Sequence, residues 1–131
     1  MAKTNEMNDY PLSDLTYKII GICMEVHRQL GHGFLEAVYK EAIEIEASLN
    51  DINFVREEEF TIQYKDVFLK HNYFADFLIE DKIILEVKCA EGAIADAHIA
   101  QTLNYLKVSD YKVGLIVNFG RKSLEYKRLI F

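Results

Sequence analysis

Proline occurs once in 131 residues, and no apolar run approaches the ~20 residues needed to span a bilayer. The opening residues, MAKTNEMNDY, contain no signal-peptide core, so a cytoplasmic chain without membrane attachment is expected. The two cysteines, Cys23 and Cys89, lie in apolar-periodic segments and not at CxxC spacing. That favours buried free thiols over a disulfide. No HxxxH pair or cysteine cluster marks a zinc centre. No serine or cysteine sits in a nucleophile elbow, and no glycine-rich loop is present to cradle a phosphate. Basic groups are also scarce. Lys and Arg number 15 against 21 acidic residues, a net charge of −6, which argues against non-specific coating of nucleic acid.

What is present is a chain with half its residues hydrophobic, long enough for a real core. A single domain over residues 12–131 is expected, after a flexible lead over residues 1–11, with no internal repeat or linker. Charge is unevenly spread. Residues 1–60 hold 5 basic and 12 acidic groups, whereas residues 107–131 hold 6 and 2. A basic C-terminal patch on an acidic body permits nucleic-acid contact without demanding it.

Pro11 and Ser13 prepare a first helix, with Ser13 as N-cap and Asp14 in the positive first turn. Leu15, Ile19, Ile22, Cys23, Val26 and Leu30 then recur at helical spacing, and Gly31-His32-Gly33 ends the run. A second helix is predicted from about Phe34 to Leu49. Its buried stripe is read as Leu35, Val38, Ala42, Ile45 and Leu49, with Glu36, Tyr39 and Ile43 on a flank and Lys40, Glu41 and Glu44 in solvent. Strand-like alternation follows from Phe54 through Phe60, Ile62 and Tyr64, with the acidic run Glu57-Glu58-Glu59 at a bend or edge and a turn at Lys65-Asp66. A third helix runs from about Ile94 to Val108. Ala95, Ile99, Leu103 and Leu106 form its core face, and Ile94, His98, Gln101 and Tyr105 form a second stripe. Two strands close the chain, 112–118 and about 124–131. The nearly all-apolar run Val113 to Val117 suits a strand covered on both faces. The strand–helix–strand step into it suits a parallel pairing. His27 and His98 read as structural histidines.

The stretch that organises the chain is 73–88, YFADFLIEDKIILEVK. It reads as a hairpin with three charges where a core would not choose them. Glu86 and Lys88, two apart on a strand, share a face. A three-residue turn, Glu80-Asp81-Lys82, pairs Ile79 with Ile83 and sets Asp76 opposite Glu86, gathering Phe77, Ile79, Ile83, Leu85 and Val87 on one apolar face. Two readings then stand. The charges form a solvated stripe with a cross-strand ion pair, or two carboxylates hold a hard divalent ion beside a lysine.

The order of helices and strands, ααβββαββ, resembles the PD-(D/E)xK nuclease superfamily, whose core is a helix, a three-stranded meander, a helix and a strand. Asp76, Glu86 and Lys88 match its motif residue by residue, with Ala75 in place of the usual proline. Gln101-Thr-Leu-Asn-Tyr105 is similar to the QxxxY motif of the recombination-exonuclease branch. Gly33-Phe-Leu-Glu36-Ala-Val-Tyr39 fits the GxxExxY family, grouped with the same nucleases, and the likeness runs from about Leu12 onward. His32 stands where many relatives carry proline.

The resemblance implies an α/β, restriction-endonuclease-like fold, with a mixed central sheet flanked by helices. It implies a phosphodiesterase acting on DNA or RNA with Mg²⁺ or Mn²⁺, held by Asp76, Glu86 and the carbonyl of Val87. Lys88 would stabilise the phosphate or orient water, or else pair with Glu86. Glu36 is either an accessory carboxylate or a surface charge. Gln101 and Tyr105 would face substrate or pack, and Tyr39 reads as core. A homodimer through a helix or edge strand is expected. The alternative is a nuclease fold serving only binding or assembly.

Overall fold

The computed structural model of the chain describes residues 12–131. The lead over residues 1–11, with Pro11, lies outside them. Two helices come first, α1 (Ser13–Leu30) and α2 (Glu36–Leu49). Five strands follow: β1 (Phe54–Phe60), β2 (Gln63–Tyr64), β3 (Val67–Phe68), β4 (Tyr73–Ile79) and β5 (Ile83–Lys88). Then come α3 (Asp96–Ser109), β6 (Val113–Asn118) and β7 (Glu125–Ile130). Five strands form one sheet in the order β1-β4-β5-β6-β7. The β5–β6 pair is parallel and the other three are antiparallel, so the sheet is mixed. The helix α3 supplies the connection that a parallel pair requires.

The helices lie on opposite faces. Phe77, Ile79, Ile83, Leu85, Val87, Val113, Leu115 and Val117 pack with α1 and α2. Leu78, Ile84, Ile116 and Leu129 pack with Leu106 of α3, joined by Ile99 and Leu103. The run Val113 to Val117 is buried throughout, as its composition requires of a strand with helices on both sides. Gly114 lets α3 approach closely, because a Cβ there would sit 3.2 Å from the Thr102 methyl.

Several expectations need correction. Ser13 is the first helical residue of α1 and makes no capping bond; the helix enters from Leu12 in a left-handed conformation. Phe60 ends β1, and 63–68 folds into a separate two-stranded hairpin turned at Lys65 and Asp66, so the strands before α3 number five. The buried stripe of α2 is Tyr39, Lys40, Ile43 and Ala47. Leu35, Ile45 and Leu49 are exposed, at 78%, 58% and 73%. The helix is apolar on two adjacent flanks, so periodicity alone admits either phase. A buried polar contact of Lys40 and the ring of Tyr39 select the one observed.

The hairpin turn is as read. Ile79 pairs with Ile83 and Phe77 with Leu85, around Glu80 and Asp81 in left-handed conformations with φ 52° and 53°. Beyond Phe77–Leu85 the β4–β5 ladder stops, although both strands continue. At the same level β4 changes sides. Tyr73 and Ala75 belong to the α3 face and Phe77 to the α1–α2 face, where simple alternation would put all three together. On β1 the matching position, Glu57, has φ 53° and drops out of the β1–β4 pairing, which resumes at Glu58–Ala75. The sheet is therefore kinked at Asp76 and Glu57, as strand irregularities beside sites commonly are.

Candidate active site

The irregularity leaves backbone groups without ladder partners, and side chains take their place. Val87 N–H donates to Asp76 Oδ2 at 2.8 Å, and Asp76 N–H donates to Glu86 Oε2 at 3.3 Å. Asp76 and Glu86 are thus brought together in the gap where β4 and β5 separate, joined through the Asp76 N–H, and each carboxyl lies within the other's field. Burial, reinforced by the Asp76 charge, pushes the Glu86 carboxyl up from 4.5 to about 8.

Glu86 is buried against α3. Tyr73 O–H donates to Glu86 Oε1 at 2.7 Å. The Tyr73 ring stacks between Phe60 and Tyr105, near parallel to each at 20° and 19°. Burial and then the neighbouring Glu86 raise the Tyr73 phenol above its ordinary range, so it remains a donor. Tyr105 is raised by the same two causes in the same order, with a hydrogen bond from exposed Gln101 acting against them. The residues of the QxxxY motif are therefore joined to the hairpin through the Tyr73–Tyr105 stack.

Asp76 faces the other helical layer. Lys40 Nζ donates to Asp76 Oδ1 at 2.7 Å and lies 2.9 Å from Glu36 Oε2 and 3.9 Å from Glu57 Oε1. Burial alone would lower the ammonium's pKa, but the hydrogen bonds to Asp76 and Glu36 outweigh it and hold it above the ordinary lysine value. Lys40, read from sequence as solvated, is 9% exposed. Among the described residues, Glu36 joins the site through Lys40.

Lys88 is half-buried as the last residue of β5, and among the described residues it forms no ion pair; the alternative of a bridge to Glu86 is not realised. Its carbonyl accepts from Phe119 N–H at 2.9 Å. Tyr39 is fully buried, stacked on Phe119 at 4.5 Å, and donates to Gly31 O at 2.7 Å, so it anchors the glycine turn whose Gly31 and Gly33 have φ 70° and 109°. His27 is structural too, with Nε2 2.8 Å from Arg121 O.

Three residues at or beside the site escaped the sequence reading. Lys40 carried one signal, its i,i+4 spacing from Glu36. Tyr73 carried another, as a polar tip at the head of an apolar strand. Asn118 ends the all-apolar β6. It is fully buried, accepts from Ala90 N–H and Gly120 N–H at 2.8 and 3.0 Å, and donates to the carbonyls of Ala90 and Gly92, each at 3.0 Å. It thereby fixes the loop that leaves Lys88.

Among the described residues no group of three or more His, Cys, Asp or Glu side chains gathers as a metal centre. Two neighbouring carboxyls, one driven toward neutrality by burial and then by the charge of the other, are nonetheless a donor pair suited to a hard cation, which would relieve their repulsion.

No curated protein matches the chain. Among solved structures, the crystal structure of SSO0001 matches with a TM-score of 0.58 at 20% identity, over 72% of this chain and 48% of that one. The likeness is one of fold, and the chain spans about half of that protein's length. The model of the PD-(D/E)XK nuclease superfamily matches residues 13–129, almost the whole of what has just been described, and to that superfamily this chain belongs.

Proposed function

We propose that the chain is a metal-dependent nuclease that hydrolyses phosphodiester bonds in DNA or RNA. The observation that carries this reading is the meeting of Asp76 and Glu86 where the β4–β5 ladder opens. These two carboxylates and the Val87 carbonyl are the proposed ligands of Mg²⁺ or Mn²⁺. When bound, such an ion polarises the scissile phosphate and lowers the pKa of an attacking water. Lys88, with its ammonium uncommitted to any carboxylate among the described residues, stabilises the negative charge that builds on the phosphate or orients the water. Gln101 and Tyr105 line the approach from α3, and Glu36 acts from α2 as an accessory carboxylate. Beside the loop after Lys88, a groove brings Arg121 and Lys122 together with Glu91 and Glu125, so its charges balance, and Lys122 is the residue there offered to a phosphate. The finer membership, in the GxxExxY family, rests on Gly33, Glu36 and Tyr39.

The test is cleavage of labelled single- and double-stranded DNA and RNA by the purified chain with Mg²⁺ or Mn²⁺. Asp76→Asn and Lys88→Ala are expected to abolish cleavage with the fold retained. Full activity in both variants refutes the proposal.

A second reading, a nuclease fold that binds or assembles without catalysis, is favoured by the ammonium of Lys40 resting on Asp76. In that case metal leaves both binding and thermal stability unchanged. Self-association as a homodimer is part of either reading, with the exposed 3-4 spaced face of α2 as the helix concerned. No helix among the described residues is long and apolar enough to cross a membrane, and a cytoplasmic location is proposed.

A further inference from the structure

Lys40 is a nearly buried ammonium set among carboxylates from three elements: Glu36 of α2, Glu57 of β1 and Asp76 of β4. Its shortest contact, 2.7 Å, is to Asp76 Oδ1. The other oxygen of that carboxylate already accepts from Val87 N–H. Oδ1 is therefore the oxygen that no backbone amide holds, and a cation on a four-carbon tether rests there. The surroundings also offer that ammonium somewhere else to go. Glu36, half-exposed, and Glu57, more exposed still, can keep it paired if Asp76 is taken by a stronger cation.

We propose that Lys40 is a tethered cation that competes with the divalent ion for Asp76 Oδ1, and so sets the metal concentration at which the site loads. The inference rests on the metal-dependent reading of Asp76 and Glu86 and adds a residue that tunes it. Lys40 acts through Asp76 and is a positioning residue, not one that touches the phosphate. A salt bridge that served only to hold α2 against the kinked strands would influence folding and leave metal affinity alone.

Two measurements separate these roles. Calorimetric titration of substrate-free protein with Mn²⁺ compares wild type with Lys40→Met, Lys40→Gln and Lys40→Arg. Removing the charge is expected to tighten Mn²⁺ binding by about 10–100-fold, the range over which groups behind metal ligands act. Lys40→Arg, which keeps the charge, should stay near wild type. The second measurement needs no substitution. In ¹⁵N-lysine-labelled wild type, the Lys40 Nζ resonance should shift as Mg²⁺ is added, in step with loading. Equal or weaker Mn²⁺ affinity in the charge-free variants, or an Nζ signal unmoved by saturating Mg²⁺, overturns the proposal. If wild type still binds metal and cleaves, the nuclease reading survives that result. Absence of Mn²⁺ binding in wild type and in every variant overturns both.

Discussion

Tyr73 holds Glu86 by a 2.7 Å hydrogen bond from inside an aromatic stack, so the glutamate of the hairpin motif is oriented by the strand that also carries Asp76. Buried carboxyls of this kind depend on their donors, because an unsatisfied polar group in a low-dielectric site is costly. Tyr73→Phe keeps the ring and removes the donor. A loss of about 1–3 kcal/mol in urea unfolding is expected, together with weaker Mn²⁺ binding. Unchanged stability and unchanged affinity would show that the hydroxyl is idle.

Glu86 also gives the metal-free protein a pH dependence. The unfolded chain releases this proton near 4.5, whereas the folded one retains it up to about 8. Between those values the folded state binds more protons, so stability falls as pH rises through the window. Thermal melts in EDTA should therefore show Tm declining from pH 5 to pH 8 in wild type. Glu86→Gln, with nothing to ionise, should flatten that slope. A wild-type slope of the opposite sign, unaltered in the variant, would refute the assignment.

The loop after Lys88 is expected to fail with Asn118. Asn118→Ala removes a buried side chain that both donates to and accepts from the 90–92 backbone, and a loss of about 2–4 kcal/mol is expected. Gly120→Ala tests the same contact from the other side, since an added Cβ would collide with the Ala90 backbone. A loss of about 1–3 kcal/mol should appear, with nuclease activity reduced in both variants. Wild-type melting of Gly120→Ala would contradict the close approach.

The phase of α2 is testable by two neighbouring isoleucines. Ile43 is buried and Ile45 is 58% exposed. Ile43→Ala should cost about 2–5 kcal/mol. Ile45→Ala should stay within about 0.5 kcal/mol in a monomer. A concentration-dependent loss in Ile45→Ala would instead identify this face as the dimer contact, and light scattering would confirm it.

These residues also show how far the sequence could be read. The odd-length turn was legible because it alone aligns Ile79 with Ile83 and keeps five apolar side chains together. The parallel β5–β6 pair followed from a helix between two apolar strands. Lys40 was not legible, since a lysine at a helix position reads as solvated unless its partner is known, and Asp76 lies 36 residues away. The kink was hidden for a related reason. In YFADFLI nearly every residue is apolar, so no alternation records the change of sides between Ala75 and Phe77. The 63–68 hairpin was missed because Ile62 and Tyr64 continue the alternation of β1 after the main-sheet pairing has ended at Phe60–Tyr73.

A continuous sheet insulates the helices above it from those below, since its amides are spent on one another. Here the interruption at position 76 opens a polar conduit through the middle layer. It runs from Gln101 and Tyr105 on α3, by way of Tyr73, Glu86 and Asp76, to Lys40 and Glu36 on α2. Side chains of both helical layers are therefore joined in one series of contacts that crosses the sheet. Amide exchange at Asp76 and Val87, whose N–H groups are held by the two carboxylates midway along it, would test whether the two surfaces are coupled.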